Sequence, residues 1–234
     1  MQGLAQVLGE ASAEDVRERP RELSLRSIEV GLTPYSSLQP LANNTAALPF
    51  SIQRATLSAL VRLDNTLLYV DYSRGNIPNF PEAVTLISGG AKFNFDFPLV
   101  PPAFNTIRPL IAFTTVADLV SATTTPSPQT AGTSNLNLAT VGVGAGLGTA
   151  YQAQTWIGEL KAEAFIAIAS QGFSPVVGVA TGLIGDVAFQ YPYLFGNLGF
   201  AASYRFRTTS ANFASNTQYS YAFLAHTLTV GITF

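Results

Sequence analysis

The chain holds one histidine, no cysteine and few carboxylates, a small stock of reactive side chains for 234 residues. A lone His226 cannot supply a multi-histidine metal site. The lack of cysteine removes disulfide frameworks, thiolate metal sites and thiol nucleophiles. Asp71 and Asp186 stand isolated, whereas a calcium cage needs several converging oxygens. The glycine run VGVGAGLG sits within an alternating stretch, without the strand–loop–helix setting of a phosphate cradle. No catalytic residue, metal site or cofactor is therefore expected.

The informative charges are those that recur at every second position among apolar residues. They are Glu29, Arg54, Arg62, Asp71, Lys92, Asp96, Arg108, Glu159, Lys161, Glu163, Asp186, Arg205 and Arg207. Six are acids and seven are bases, so a lumen lined by them is nearly neutral. A strongly ion-selective pore needs a ring of one sign. Balanced charge predicts ion pairs across a narrow interior, because an unpaired buried charge is very costly. Gly142, Gly144, Gly146 and Gly148 share the lumen parity and are expected to make room for Arg and Lys chains from facing strands.

Period-2 alternation is the signature of strands with one apolar and one polar face. Phe93, Phe95 and Phe97 oppose Lys92, Asn94 and Asp96; Leu160, Ala162, Ala164, Ile166 and Ile168 oppose Glu159, Lys161 and Glu163. Ten strands are predicted, at 23–33, 52–63, 66–73, 84–97, 106–117, 136–151, 156–170, 177–191, 198–209 and 219–234, with eight as the alternative count. Connections 63–65, 98–105, 152–154 and 192–197 are shorter, while 34–51, 118–135 and 210–218 are longer, polar and almost uncharged. Where the alternation is clearest, at 91–97, 156–170, 177–191 and 198–207, no charge falls on the apolar face. Trp156, Tyr191, Tyr204, Phe206, Phe97 and Phe234 are expected near strand ends on that face, and His226 near one membrane interface.

Composition decides which solvent the apolar face meets. Hydrophobic residues make up 47% and charged ones 11%, far below the roughly 25% charged of soluble domains. Mean hydropathy is +0.27, yet no segment approaches the ~18 apolar residues of a spanning helix. A membrane protein without such helices must be a closed barrel, the other architecture that satisfies every backbone group in lipid. Net charge is −2, which offers nucleic acid no basic surface. The only charge-dense segment is 11–22, so residues 1–22 are expected to form a tail or short helix ahead of a barrel at 23–234. Residues 1–9 lack the basic and long apolar regions of a secretory leader, and a mature amino terminus is the expectation.

The closing segment YSYAFLAHTLTVGITF ends on Phe234, with Ile232, Val230 and Leu228 at every second position before it. It resembles the last strand of small bacterial outer-membrane β-barrels of eight to ten strands. That resemblance implies that Leu228, Val230, Ile232 and Phe234 form the signal read by the barrel-assembly machinery. It also implies outer-membrane lipid around the wall, both termini in the periplasm, and long loops outside the cell. The amino-terminal tail or the outer loops could then hold another envelope protein. The omptin proteases, ten-stranded barrels with rim aspartates and an Asp–His pair, offer an enzymatic comparison. Asp118 is at a strand top here, but no histidine shares the lumen face and no second aspartate is beside it. A non-enzymatic structural or interaction protein with a plugged lumen is thus the first expectation. A narrow porin-like channel is second, and a rim-site enzyme a distant third.

Overall fold

The computed structural model describes residues 25–41, 52–76, 83–124, 135–171, 176–195, 198–214 and 220–234. The charged segment 11–22 lies outside them. Ten strands run in chain order: β1 (Arg26–Pro40), β2 (Ile52–Leu63), β3 (Thr66–Asn76), β4 (Ala83–Pro98), β5 (Ile107–Thr124), β6 (Asn135–Gln152), β7 (Ile157–Gln171), β8 (Val177–Phe195), β9 (Leu198–Asn212) and β10 (Tyr221–Thr233). Each pairs antiparallel with its sequence neighbours, and β1 pairs with β10 to close the ring. The fold is an up-and-down antiparallel barrel of ten strands. None of the described helices is long and apolar enough to cross a membrane.

Closure brings the first and last strands together through glycines. Gly31 faces Thr229 and Gly231 faces Glu29 in the register. A Cβ on Gly31 would run into the Leu228 carbonyl, and one on Gly231 into the Ile28 carbonyl. The strands therefore approach more closely here than residues with a side chain allow. The lumen-side glycines of β6 play a similar part, and this corrects the sequence expectation. A Cβ on Gly142 or Gly146 would strike the β7 backbone at Ile166 or Ala162. At these two the room is taken by the adjoining strand rather than by Arg and Lys chains from across the barrel, whereas at Gly148 the Lys161 side chain of β7 shares the space.

Strands are longer than the sequence predicts at the end where β1–β2, β3–β4, β5–β6, β7–β8 and β9–β10 connect. This is the loop end; the other, which holds both barrel termini, is the turn end. β1 runs on to Pro40 past a bulge near Tyr35, β5 to Thr124 and β9 to Asn212. The connections left are 41–51, 125–134 and 213–220, so the two ends differ less than expected. At the turn end, Asp64 and Asn105 take left-handed backbone with φ of 47° and 56°. Asp and Asn tolerate that region better than most side chains. The extension of β3 to Asn76 also places Arg74 on the outward row, exposed. A charge thus occurs on the outer face, just beyond the predicted strand 66–73.

The burial pattern reverses along the axis. Through most of the wall, Val30, Leu57, Val143, Leu147, Ile166 and Val230 point out and are exposed. Toward the loop end the outward row turns polar, at Gln53, Thr85, Ser121, Asn137, Ser170 and Ser210. The inward row there turns apolar: Leu38, Ile52, Val84, Leu86, Val120, Leu136, Leu138, Phe213, Tyr221 and Phe223 form one buried cluster. The barrel is apolar outside and charged inside over most of its height, and the reverse at its loop end.

Candidate functional site: the charged lumen

The inward row of each strand sets what meets inside. In β7, odd residues face in, placing Glu159, Lys161 and Glu163 in one file. In β4, even residues face in and carry Lys92 and Asp96. The Lys161 ammonium bridges Asp96 at 2.5 Å and Glu159 at 2.7 Å. Lys92 pairs with Glu163, both fully buried. Arg62 of β2 reaches across to Asp186 of β8, its Nη2 donating to Oδ1 at 3.0 Å and its Nη1 to Oδ2 at 3.3 Å. These pairs lie in the turn-end half of the lumen.

Glu29 is held differently. The hydroxyls of Ser27, Ser203 and Thr229 donate to its carboxylate, each at 2.6 Å. Those donors come from β1, β9 and β10, so this carboxylate laces the strands on which the ring closes. Three donors compensate a buried carboxylate much as a cation would.

Nearer the loop end a second cluster forms around two arginines of β9. Asp71 accepts from Ser58 Oγ at 2.6 Å, Ser88 Oγ at 2.9 Å and Thr33 Oγ1 at 3.3 Å, with Arg205 Nη2 at 3.8 Å. Arg207 donates to Asp118 Oδ1 at 3.2 Å, to Ser88 Oγ at 3.0 Å and to the Tyr69 hydroxyl. The Arg205 guanidinium lies 3.7 Å from the Tyr69 ring centroid, and Arg207 stacks 4.7 Å over Phe223. Such stacking on aromatic faces suits the flat, weakly hydrated guanidinium. Gly90 keeps this cluster possible: a Cβ there would meet the Asp118 carboxylate, the Ala117 carbonyl and the Tyr69 hydroxyl. Above it lies the apolar cluster of the inward rows.

All thirteen charged residues singled out by alternation point inward. Eleven belong to, or lie beside, the pairs just described. Arg54 and Arg108 stand apart: Arg54 donates to the carbonyls of Val84 and Gly75, each at 3.1 Å, and Arg108 Nε to that of Val100 at 3.4 Å. Alternation missed Asp118, which sits well inside β5 rather than at a strand top. Its parity with Arg108 and Thr114 was the available signal. The hydroxyl donors around Asp71 and Glu29, and Tyr69 itself, carried no signal in the sequence.

Outside, His226 lies mid-strand in β10, not at a strand end. Its Nδ1 is hydrogen-bonded to the Tyr204 hydroxyl at 2.7 Å, and Phe206 packs against it at 5.0 Å. Tyr204 likewise sits mid-strand in β9 rather than at the rim. Tyr151, Trp156 and Phe189 do gather at the turn end, with successive ring centroids 4.9 and 5.5 Å apart, around a shallow outer groove of about 380 Å³. Among the described residues no group of histidine or carboxylate side chains could hold a metal ion.

Among solved structures, the chain is similar to the outer membrane protease OmpT from Escherichia coli, with a TM-score of 0.46 and 10% identity, covering 92% of this chain and 100% of that one. It is also similar to Ail, the attachment invasion locus protein of Yersinia pestis, crystallised with the heparin analogue sucrose octasulfate. There the TM-score is 0.24 and identity 13%, covering 91% of this chain and 100% of that one. No protein-family profile and no curated protein sequence matches the chain.

Proposed function

We propose that this chain is a non-enzymatic β-barrel of a bacterial outer membrane, sealed along its lumen, and that it serves as a structural or interaction component of the envelope. The observation that carries the reading is the lumen itself. Most of its charges are engaged by one another and by hydroxyls, and an apolar cluster occupies its loop end. The wall adds support, since exposed Val, Leu, Ile and Phe side chains around a closed ring suit hydrocarbon. Leu228, Val230, Ile232 and Phe234 all point outward and are exposed, as a segment read by an assembly machinery must be. With the termini placed in the periplasm, the loop end projects outside the cell. The loops and the amino-terminal tail are then the parts that can hold another envelope protein.

Solute flux separates this from the channel reading. Vesicles loaded with the folded protein and challenged with small sugars are expected to swell no faster than empty vesicles. Size-dependent swelling would make the protein a porin, and the lumen arginines its filter. A sealed lumen also bears on chemistry. Each described lumen carboxylate is engaged, and the sole histidine is on the outer wall bonded to a tyrosine. A positioned acid–base pair reachable by substrate is the minimum for hydrolysis.

A further inference from the structure

The wall is not equally tall all round. On β6 the outward row is free of charge from Ala139 to Tyr151, which at a rise of ~3.3 Å per residue and a ~40° tilt spans about 30 Å of axial height. On β3 the outward row is free of charge only from Thr66 to Tyr72, about 15 Å, before Arg74, and on β2 beside it the apolar row runs from Ala55 to Leu63, about 20 Å. On β1 it is Ile28, Val30 and Leu32, between Arg26 and the bulge.

The register shows how the short face arises. Thr66 pairs with Phe93, so β4 continues past the β2–β3 hairpin with Phe95 and Phe97 exposed beyond it. The polar turn is fixed at that height, because Asn94 N donates to the Asn65 carbonyl at 2.8 Å. Beside it, Arg26 and Asp64 form an exposed fork at 2.8–3.2 Å. One cation thus marks each edge of the low wall, Arg26 at the turn end and Arg74 toward the loop end.

We propose that the β1–β3 face holds the bilayer locally thin, with lipid phosphates drawn inward to Arg26 and Arg74. Phospholipid is the occupant that this placement fits: an apolar strip between the cation Arg74 at one edge and the exposed Arg26–Asp64 ion pair at the other matches acyl chains between two layers of headgroups. A bilayer meeting walls of unequal height adjusts at the shorter one, by thinning or by snorkelling of flanking side chains. Hydrocarbon at full thickness would instead leave the Asp64–Asn65 turn in apolar surroundings.

This inference rests on the membrane-spanning reading, and one experiment separates the two. The chain has no cysteine, so single nitroxide labels can be placed at will. One series runs down β3 with Thr66→Cys, Leu68→Cys, Val70→Cys and Tyr72→Cys, and ends with Thr85→Cys, the outward residue of β4 that pairs with Arg74. A second runs down β6 with Asn137→Cys, Val141→Cys, Ala145→Cys and Thr149→Cys. All are outward positions, and a gel-shift on heating checks that each variant is folded. In vesicles of a single phosphatidylcholine, collisions with oxygen report hydrocarbon and collisions with a water-soluble nickel chelate report headgroup and water. The expected result is oxygen dominance from 141 to 149 on β6, but only from 68 to 72 on β3, with nickel dominant at 66 and 85, which are only about 20 Å apart in axial height. Oxygen dominance at 66 and 85 as well would overturn the thinning while leaving the barrel in the membrane. Nickel dominance throughout β6 would overturn the membrane-spanning reading, and the thinning with it.

Discussion

Residue by residue, the lumen is a set of charges that stabilise only in company. Arg207 ties Asp118, Tyr69 and Ser88 together, so Arg207→Ala leaves the Asp118 carboxylate buried beside Arg205 alone. Removing one member of a buried pair costs about 3–5 kcal/mol, mostly because its partner is stranded. Urea unfolding in vesicles should show that loss for Arg207→Ala, with part of it recovered in the double variant with Asp118→Ala. Equal and additive losses would mean that the two do not interact. Glu29 gives a second check. Glu29→Gln keeps an acceptor for one or two of its three hydroxyl donors, whereas Glu29→Ala strands all three. The alanine variant should be the less stable, by about 1–3 kcal/mol against wild type, with the glutamine variant between. The positions of these charges were legible in the sequence because a charge between two apolar neighbours reveals strand parity at once. Their partners were not. Serine, threonine and tyrosine sit on either face of a strand, so Ser58, Ser88, Ser203 and Tyr69 carry no parity of their own.

At the level of the strands, the number, order and facing were legible, and the loop-end boundaries were not. The cause is the reversal of polarity. In β5, Thr114 faces in and Phe113 out, but past Asp118 the inward residues are Val120 and Ala122 and the outward one is Ser121. Alternation read as apolar-out loses its phase there, and the strand seems to end near Ala117. The bulge in β1 shifts the phase in the same way, so that Leu38 rather than an odd residue points inward. The reversal also predicts where lipid stops. Leu119→Lys, within the apolar band, should cost about 2–4 kcal/mol if near midplane and less toward the interface, while Ser121→Lys, one outward position along, should cost much less. Identical costs in vesicle unfolding would mean that the band does not end between them. Strand approach gives a further test. Gly146→Val must push into the β7 backbone at Ala162, so folding yield should collapse, whereas Ala145→Val on the outward row should fold normally. A normally folding Gly146→Val would show that β6 and β7 have room to spare.

Taken whole, the molecule is a closed ring, and in the function we propose its inside is sealed twice, by paired charge over most of its height and by an apolar cluster at the loop end. The two seals differ in kind. The charged one is specific and brittle, while the apolar one tolerates substitution of similar volume. Such an interior suits a barrel whose task lies at its loops, its tail or its lipid-facing wall. The measurement that tests this most directly is single-channel current across a planar bilayer, for the full chain and for a variant carrying Lys92→Ala, Glu163→Ala, Arg205→Ala and Asp71→Ala, provided it folds. The wild type should give no steady conductance, because the turn-end charges and the loop-end cluster each block the path. The variant should stay silent too, or flicker briefly, since the apolar cluster of Leu38, Ile52, Leu86 and Phe223 is left intact. Steady, ohmic conductance from the wild type would contradict the sealed lumen and make this protein a channel.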